Sequence, residues 1–212
     1  MSTATQDSIR TRQSLLGRLR DLNDQQSWRV FFDLYWRLLY NVARRAGLGD
    51  TDAQDVVQET VIAVARKMPG FQYDPRRGSF KHWLLRISQC RIADHMRKVY
   101  RAPSTVELTR EVLELNGGAG VENSPDGPAF EQAWQQEWQQ AMFEAAVAQV
   151  RQKANPKQFQ VFDYCVLKGW PVGKVASTLG LNAAQVYLAK HRVAQAVKRT
   201  ARQLSEANSH PG

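Results

Sequence analysis

Apolar residues recur every three or four positions along most of this chain, the spacing of one face of an α-helix. After a polar stretch, residues 1–13, that reads as a disordered tail, Leu15, Leu16, Leu19 and Leu22 open the pattern. From Trp28 to Ala46, the residues Val30, Phe31, Leu34, Tyr35, Leu38, Leu39 and Val42 form a broad apolar stripe, and Gly47 and Gly49 stop it. The next helix has Asp50 or Thr51 as its cap, acidic side chains in its first turn, and an end near Met68. Pro69-Gly70 breaks it, and the stretch from Tyr73 to Gly78 is turn chemistry. Ser79 then caps a long helix from Phe80 to about Tyr100, with Leu84, Ile87, Ile92 and Met96 facing inward. Residues 14–100 are thus expected to form one helical domain.

The period is lost from 101 to 129. Gly117-Gly118-Ala119-Gly120 and the run from Ser124 to Pro128 are linker signals, with Glu107–Leu115 as a candidate short helix between them. Helix resumes at Ala129 and runs to about Ala154, with Trp134 and Trp138 one turn apart. Asn155-Pro156 starts another helix, expected to bury Phe159, Phe162, Val166 and Leu167 before Gly169. Two shorter pieces follow, Pro171 to Leu179 and Asn182 to about Leu204, around Gly180-Leu181, and residues 205–212 read as a tail. No strand pattern or internal repeat is seen. The expected fold class is all-α, with helical domains at 14–100 and 130–204 joined by a flexible linker at 101–129.

Charge changes what these helices are for. The net charge is +9, which points to a polyanionic partner, either nucleic acid or an anionic membrane surface. No stretch approaches the roughly eighteen apolar residues of a membrane span, and the N-terminus lacks a signal-peptide core. A soluble, cytoplasmic protein without membrane insertion is expected. Two cysteines, Cys90 and Cys165, are too few for a disulfide framework and fit a reducing compartment. His82, Cys90 and His95 share a segment but match no zinc spacing. With the four histidines scattered and no phosphate-cradling glycine loop, we expect no metal, no cofactor and no catalytic residues, hence no enzyme.

Three constellations remain. The last two helices have the layout of a helix-turn-helix: Val175, Ala176 and Leu179 inside, Gly180 at the turn, Asn182 as cap, and Val186, Ala189, Val193 and Val197 as the inner stripe. Between Lys157 and Gln203 stand eight Lys or Arg against Asp163 alone, a net of +7. The outer face offers Gln185, Lys190, His191 and Arg192 to a major groove and its phosphates. The plainer reading is a helical hairpin with solvated lysines. Second, the span from Arg76 to Arg101 carries Arg76, Arg77, Lys81, Arg86, Arg91, Arg97, Lys98 and Arg101 against Asp94, again +7, interleaved with Tyr73, Phe80, His82 and Trp83. Cations can hold a backbone while aromatics stack on unpaired bases. Trp83 is open to a core role as well, and the loop before Phe80 is either a pocket for an extruded base or a plain connector. Third, Asp52, Asp55 and Glu59 share a helix face that would repel DNA and suit a basic protein partner, unless it is simply solvated. The linker is acidic too: from Arg101 to Glu131, six acidic residues face two basic ones, a net of −4.

In this order these stretches resemble a sigma-70 family RNA polymerase sigma factor of the extracytoplasmic-function type, over roughly Ser14 to Leu204. The run from Asp52 to Val61 resembles the family's core-polymerase-binding helix. Phe71 to Leu84, continued by Ile92 to Arg97, resembles its strand-opening and −10 segment, and Val172 to Arg199 its −35 reader. The resemblance implies that Asp52, Asp55, Gln58 and Glu59 bind core polymerase. It implies that Arg76, Arg77, Ser79, Phe80, Lys81, Trp83, Arg91, Arg97 and Lys98 serve the −10 element, and that Asn182, Gln185, Lys190, His191 and Arg192 serve the −35 element. Core RNA polymerase and promoter DNA are the implied partners, with room for an anti-sigma protein, and the linker would thread the RNA exit path. The chain departs from the family pattern at Lys174, where Glu is frequent, and at Asn182, where Ser or Thr is frequent. Two other readings compete. A stand-alone helix-turn-helix regulator leaves the acidic face and the aromatic-basic segment without a role. A nucleic-acid-processing enzyme needs catalytic carboxylates or a metal site.

Overall fold

A computed structural model describes residues 15–71, 79–101, 125 and 127–209, with the side chains of 99–101 and 206–209 left out. Among the described residues every regular element is helical. The chain divides into two compact units, one reaching Ala141 and the other spanning Met142–Glu206.

The first unit begins with helix α1, Gln25–Arg45. Asp24 caps it, accepting from the Ser27 backbone N–H at 3.0 Å and the Ser27 hydroxyl at 2.9 Å. Arg18 donates to the same carboxylate at 2.7 Å and, with the Ser27 N–H, holds its pKa down at about 2. Phe31, Tyr35, Leu38, Leu39 and Val42 are buried as expected, but Val30 is 49% exposed and Leu34 only half-buried, so the true stripe is narrower. Gly47, at φ 95°, ends the helix in a conformation costly for other residues.

Helix α2, Asp50–Lys67, follows with Gly49 at its cap position. The expected caps Asp50 and Thr51 both lie inside the helix. The Asp50 carboxylate instead accepts from the Tyr40 hydroxyl and, at 2.9 Å, from the Gln54 amide. Ala53, Val56, Val57, Thr60 and Val64 are buried. Helix α3, Phe80–Arg101, starts from Ser79, whose hydroxyl accepts the His82 N–H at 3.3 Å as its cap. It buries Phe80, Leu84, Leu85, Ile87 and Ile92. Helix α2 packs against both α1 and α3.

The next helix, α4, runs Pro128–Lys153. Its first half belongs to this first unit, so the division between the two compact units falls inside a helix, at Ala141/Met142. Two aromatic anchors explain this. Trp134 and Trp138 are 0% and 1% exposed, and Trp138 stacks on Tyr35 at 5.5 Å. Burying an indole of about 200 Å² at about 25 cal/mol per Å² contributes roughly 5 kcal/mol before ordering costs. Neither indole N–H has a partner among the described residues, a penalty of roughly 1–3 kcal/mol each. Burial therefore wins. Polar bonds fix the register: Asn41 donates to Glu137 at 2.7 Å, and Arg45 meets Glu137 and Gln136, each at 2.9 Å.

In the second unit, the rest of α4 buries Met142, Ala146 and Val150. Asn155 caps α5, Pro156–Phe162, through the Lys157 and Gln158 N–H groups. The chain then widens into a π-helical turn, Asp163–Leu167, closed by the Lys168 N–H on the Asp163 carbonyl at 2.9 Å. This extra residue shifts the face that follows. Val166 and Leu167, expected inside, are 44% and 43% exposed, while Val161 and Phe162 are buried. Helix α6, Val172–Leu179, ends on Gly180 at φ 63°, with the Leu181 N–H returning to the Ala176 carbonyl at 2.9 Å. Helix α7 runs Ala183–Ser209. Val161, Val175, Val186 and Ala189 form the small core, and Ala176 and Leu179 pack partly buried against it. Asn155–Leu204 thus contains the expected helix-turn-helix layout.

The expected short helix Glu107–Leu115 and nearly all of the acidic stretch lie outside the described residues. No described helix is long and apolar enough to cross a membrane.

Candidate nucleic-acid and protein interfaces

The acidic helix comes first. Asp52 lies in the first turn of α2, where the dipole favours anions, and its Oδ1 is 3.0 Å from Nε2 of His95 on α3. Glu59, two turns on, pairs with Lys98 at 3.3 Å. Asp55 and Gln58 are exposed. The four residues therefore split: two are bonded to the neighbouring helix and two are presented outward. The Glu59–Lys98 pair is itself largely solvent-facing, and such pairs contribute only about 0.2–1 kcal/mol. A competing charge can displace it at little cost.

Helix α3 carries the cations. Arg91 and Arg97 both pair with Asp94, Arg91 at 3.0 Å. Arg76 and Arg77, and the loop expected to hold an extruded base, lie outside the described residues. Ser79 serves as the cap. Phe80 corrects the sequence reading: it is 0% exposed, packed against Tyr35 at 5.8 Å and Phe31 at 6.4 Å. A ring with no exposed surface cannot stack on a base, so Phe80 is core. Trp83 is half-buried, with Phe71 at 4.6 Å and Phe80 at 5.5 Å, and keeps one accessible part.

Lys81 sits between the two roles. Its ammonium donates to Gln135 and lies 5.5 Å from the Trp138 ring. Burial pushes its pKa below the ordinary lysine value, against the opposing pull of Glu131. Nearby, Gln89 is buried and donates to the Pro125 carbonyl at 2.8 Å. Pro125 and the first turns of α4 thus border the N-terminal half of α3. No local pattern signals this, because each contact joins residues 36 or more positions apart.

In the second unit the start of α7 is held by a reciprocal cap. The Gln185 N–H donates to Asn182 Oδ1 at 2.8 Å, and the Asn182 N–H donates to Gln185 Oε1 at 3.0 Å. Both residues were expected to face DNA, and both are occupied in holding the helix end. Lys190 is half-buried with its ammonium 5.3 Å from the Tyr187 ring, while His191 and Arg192 are exposed. His191 lies 3.4 Å from the Gln195 amide. On the preceding elements Lys174 lies 3.9 Å over Trp170, which stacks on Tyr164 at 4.6 Å. No group of three or more metal-ligating side chains occurs among the described residues.

The family signature of sigma-70 region 2 matches residues 31–102, which run from within α1 to the end of α3. The chain is 26% identical over 179 residues to the ECF RNA polymerase sigma factor BldN of Streptomyces coelicolor, covering 84% of this chain and 58% of that protein. It is 29% identical over 151 residues to the RNA polymerase sigma factor CnrH of Cupriavidus metallidurans, covering 70% of this chain and 72% of that one. The chain thus spans less than two thirds of the first relative's length and somewhat more of the second's.

Proposed function

We propose, from the premise that this chain belongs to the sigma-70 family of RNA polymerase sigma factors, in its extracytoplasmic-function group, that it directs transcription initiation. In this reading it binds core RNA polymerase, recognises a −10 and a −35 promoter element, and helps open the DNA. Its work is binding and strand separation, without a bond-making step of its own, in the cytoplasm where polymerase acts. An anti-sigma protein is a compatible further partner.

One observation carries the reading: the acidic face of α2, with Asp55 exposed between the half-buried Asp52 and Glu59, lies beside a cation-bearing α3, within the region-2 match, while a capped helix-turn-helix follows in the second unit. A stand-alone duplex binder needs only the last of these. Asp55 and Gln58, with Asp52 and Glu59 freed from His95 and Lys98, offer a negative face to a basic polymerase surface. Arg91, Arg97 and Lys98 hold the −10 backbone, and Lys81 and Trp83 border the opened strand. Unstacking costs a few kcal/mol per base, offset by these contacts. The domain assignment follows: 14–100 for polymerase and −10 DNA, 101–129 as the acidic connection, and 130–204 for −35 DNA, with the first half of α4 also bracing the first unit.

The test is core binding and promoter-dependent transcription by the purified chain. Asp55→Lys with Glu59→Lys should weaken core binding at least tenfold while leaving the helical signal unchanged. Failure of the intact chain to bind core polymerase would overturn the proposal.

A further inference from the structure

Helix α7 turns one face inward: Val186, Ala189, Val193 and Val197 are all buried. Half a turn away lies the stripe Ala184, Leu188, His191 and Gln195, every member exposed. These four follow the i, i+4, i+7, i+11 spacing of a single helix face. Leu188 at 58% and Tyr187 at 56% are the most exposed large hydrophobic side chains among the described residues. Isolated exposed apolar residues are ordinary. Here two adjacent ones stand in the first two turns of a helix lined by Lys190, Arg192, Lys198 and Arg199. That cationic frame selects an anionic partner, and the apolar centre must meet something apolar on it.

The polar residue best placed by sequence to read a base is otherwise occupied. Gln185 Oε1 is turned back to accept the Asn182 N–H, and it lies on the flank of the helix, not on the central stripe. Among the groups displayed in a DNA major groove, the apolar one is the thymine C5-methyl. We propose that the upstream promoter duplex is read chiefly through thymine methyl contacts by Leu188. Ala184, one turn earlier, is small enough to let the helix approach closely. His191 follows on the same stripe, while Lys190 and Arg192 grip phosphates on opposite sides. This rests on the sigma-factor reading and goes beyond it by naming the readout chemistry.

The test uses the full-length chain, alone and bound to core RNA polymerase, to select from DNA duplexes randomised across a short upstream window. The enriched duplex is remade with deoxyuridine replacing each thymidine in turn, which removes only the methyl. One or two positions should weaken binding by roughly fourfold each, the effect of losing one buried methyl. Leu188→Ala should bind without distinguishing thymidine from deoxyuridine, and Gln185→Ala should still distinguish them. The proposal is overturned if binding by the unaltered chain tolerates deoxyuridine everywhere, or if Leu188→Ala keeps the discrimination. If no duplex is enriched in either form, the DNA-reading role of the second unit falls, and this proposal with it.

Discussion

The imidazole Nε2 of His95 on α3 lies 3.0 Å from Asp52 Oδ1 on α2, joining the acidic helix to the cation-bearing one. The His95 side chain is only 12% exposed, whereas Asp52 is 44% exposed. The ring is therefore fixed by its surroundings, and the carboxylate is the member that can leave.

A double-mutant cycle on this pair should show coupling. Asp52→Ala and His95→Ala should each destabilise the first unit, and together by less than their sum, with an interaction energy of roughly 0.5–1.5 kcal/mol. Urea denaturation of the four proteins measures it. Strict additivity would mean that the contact contributes nothing to folding, and that the two helices are held by their apolar packing and the Glu59–Lys98 pair.

Trp138 lies in the part of α4 that belongs to the first unit. If the first half of α4 is integral to the first unit, Trp138→Ala should lower that unit's stability by roughly 3–5 kcal/mol. Trp138→Phe should restore part of it by keeping a ring on Tyr35. Exposed Gln139 should tolerate Ala within about 0.5 kcal/mol. Thermal melts followed by near-ultraviolet dichroism test this, and a Trp138→Ala protein as stable as the parent would remove α4 from the first unit's core.

The helices themselves were readable because their signals are local. Periodic apolar residues, Ser79 and Asn155 as caps, and Gly47 and Gly180 as stops all act within one turn. The failures are non-local or concern register. Phe80 has the composition of a base-stacking residue, and only the arrival of Tyr35 and Phe31 from α1 makes it core. Val166 and Leu167 fall on an inward face if the helix is regular, and one π-turn carries them outward. Gln185 was correctly placed near the outer face, yet its capping bond diverts the amide. Trp134 and Trp138 were visible as a pair, but nothing local tells which unit receives them.

Acid should act early at the start of α1. The Asp24 carboxyl is held at about 2, below its ordinary 3.8, first by the Arg18 side chain and next by the Ser27 N–H. Its pKa is lower folded than unfolded. Its contribution is thus full above about 3.8 and is lost as pH falls from there towards 2. Asp24→Ala should melt earlier than the parent at neutral pH, and the gap should close across that window. Melting midpoints taken through the acid range decide it, and a gap that stays constant down to the lowest pH would detach Asp24 from the helix cap.

Arg192 and Leu188 lie within one turn of α7 yet should weaken DNA binding in different ways. Arg192 is an exposed cation on the flank of the outer stripe; in the proposed reading it would meet a phosphate, with its energy coming from displaced counterions. Arg192→Ala should lower affinity for every duplex alike and reduce the slope of log K against log salt by about 0.9. Leu188 carries no charge, and its truncation should leave that slope unchanged while erasing a preference among bases. Titrations of both variants at several salt concentrations separate the two. Should Arg192→Ala keep the parent slope, the residue is not on a phosphate, and the helix must enter the groove rotated from the orientation its buried stripe implies.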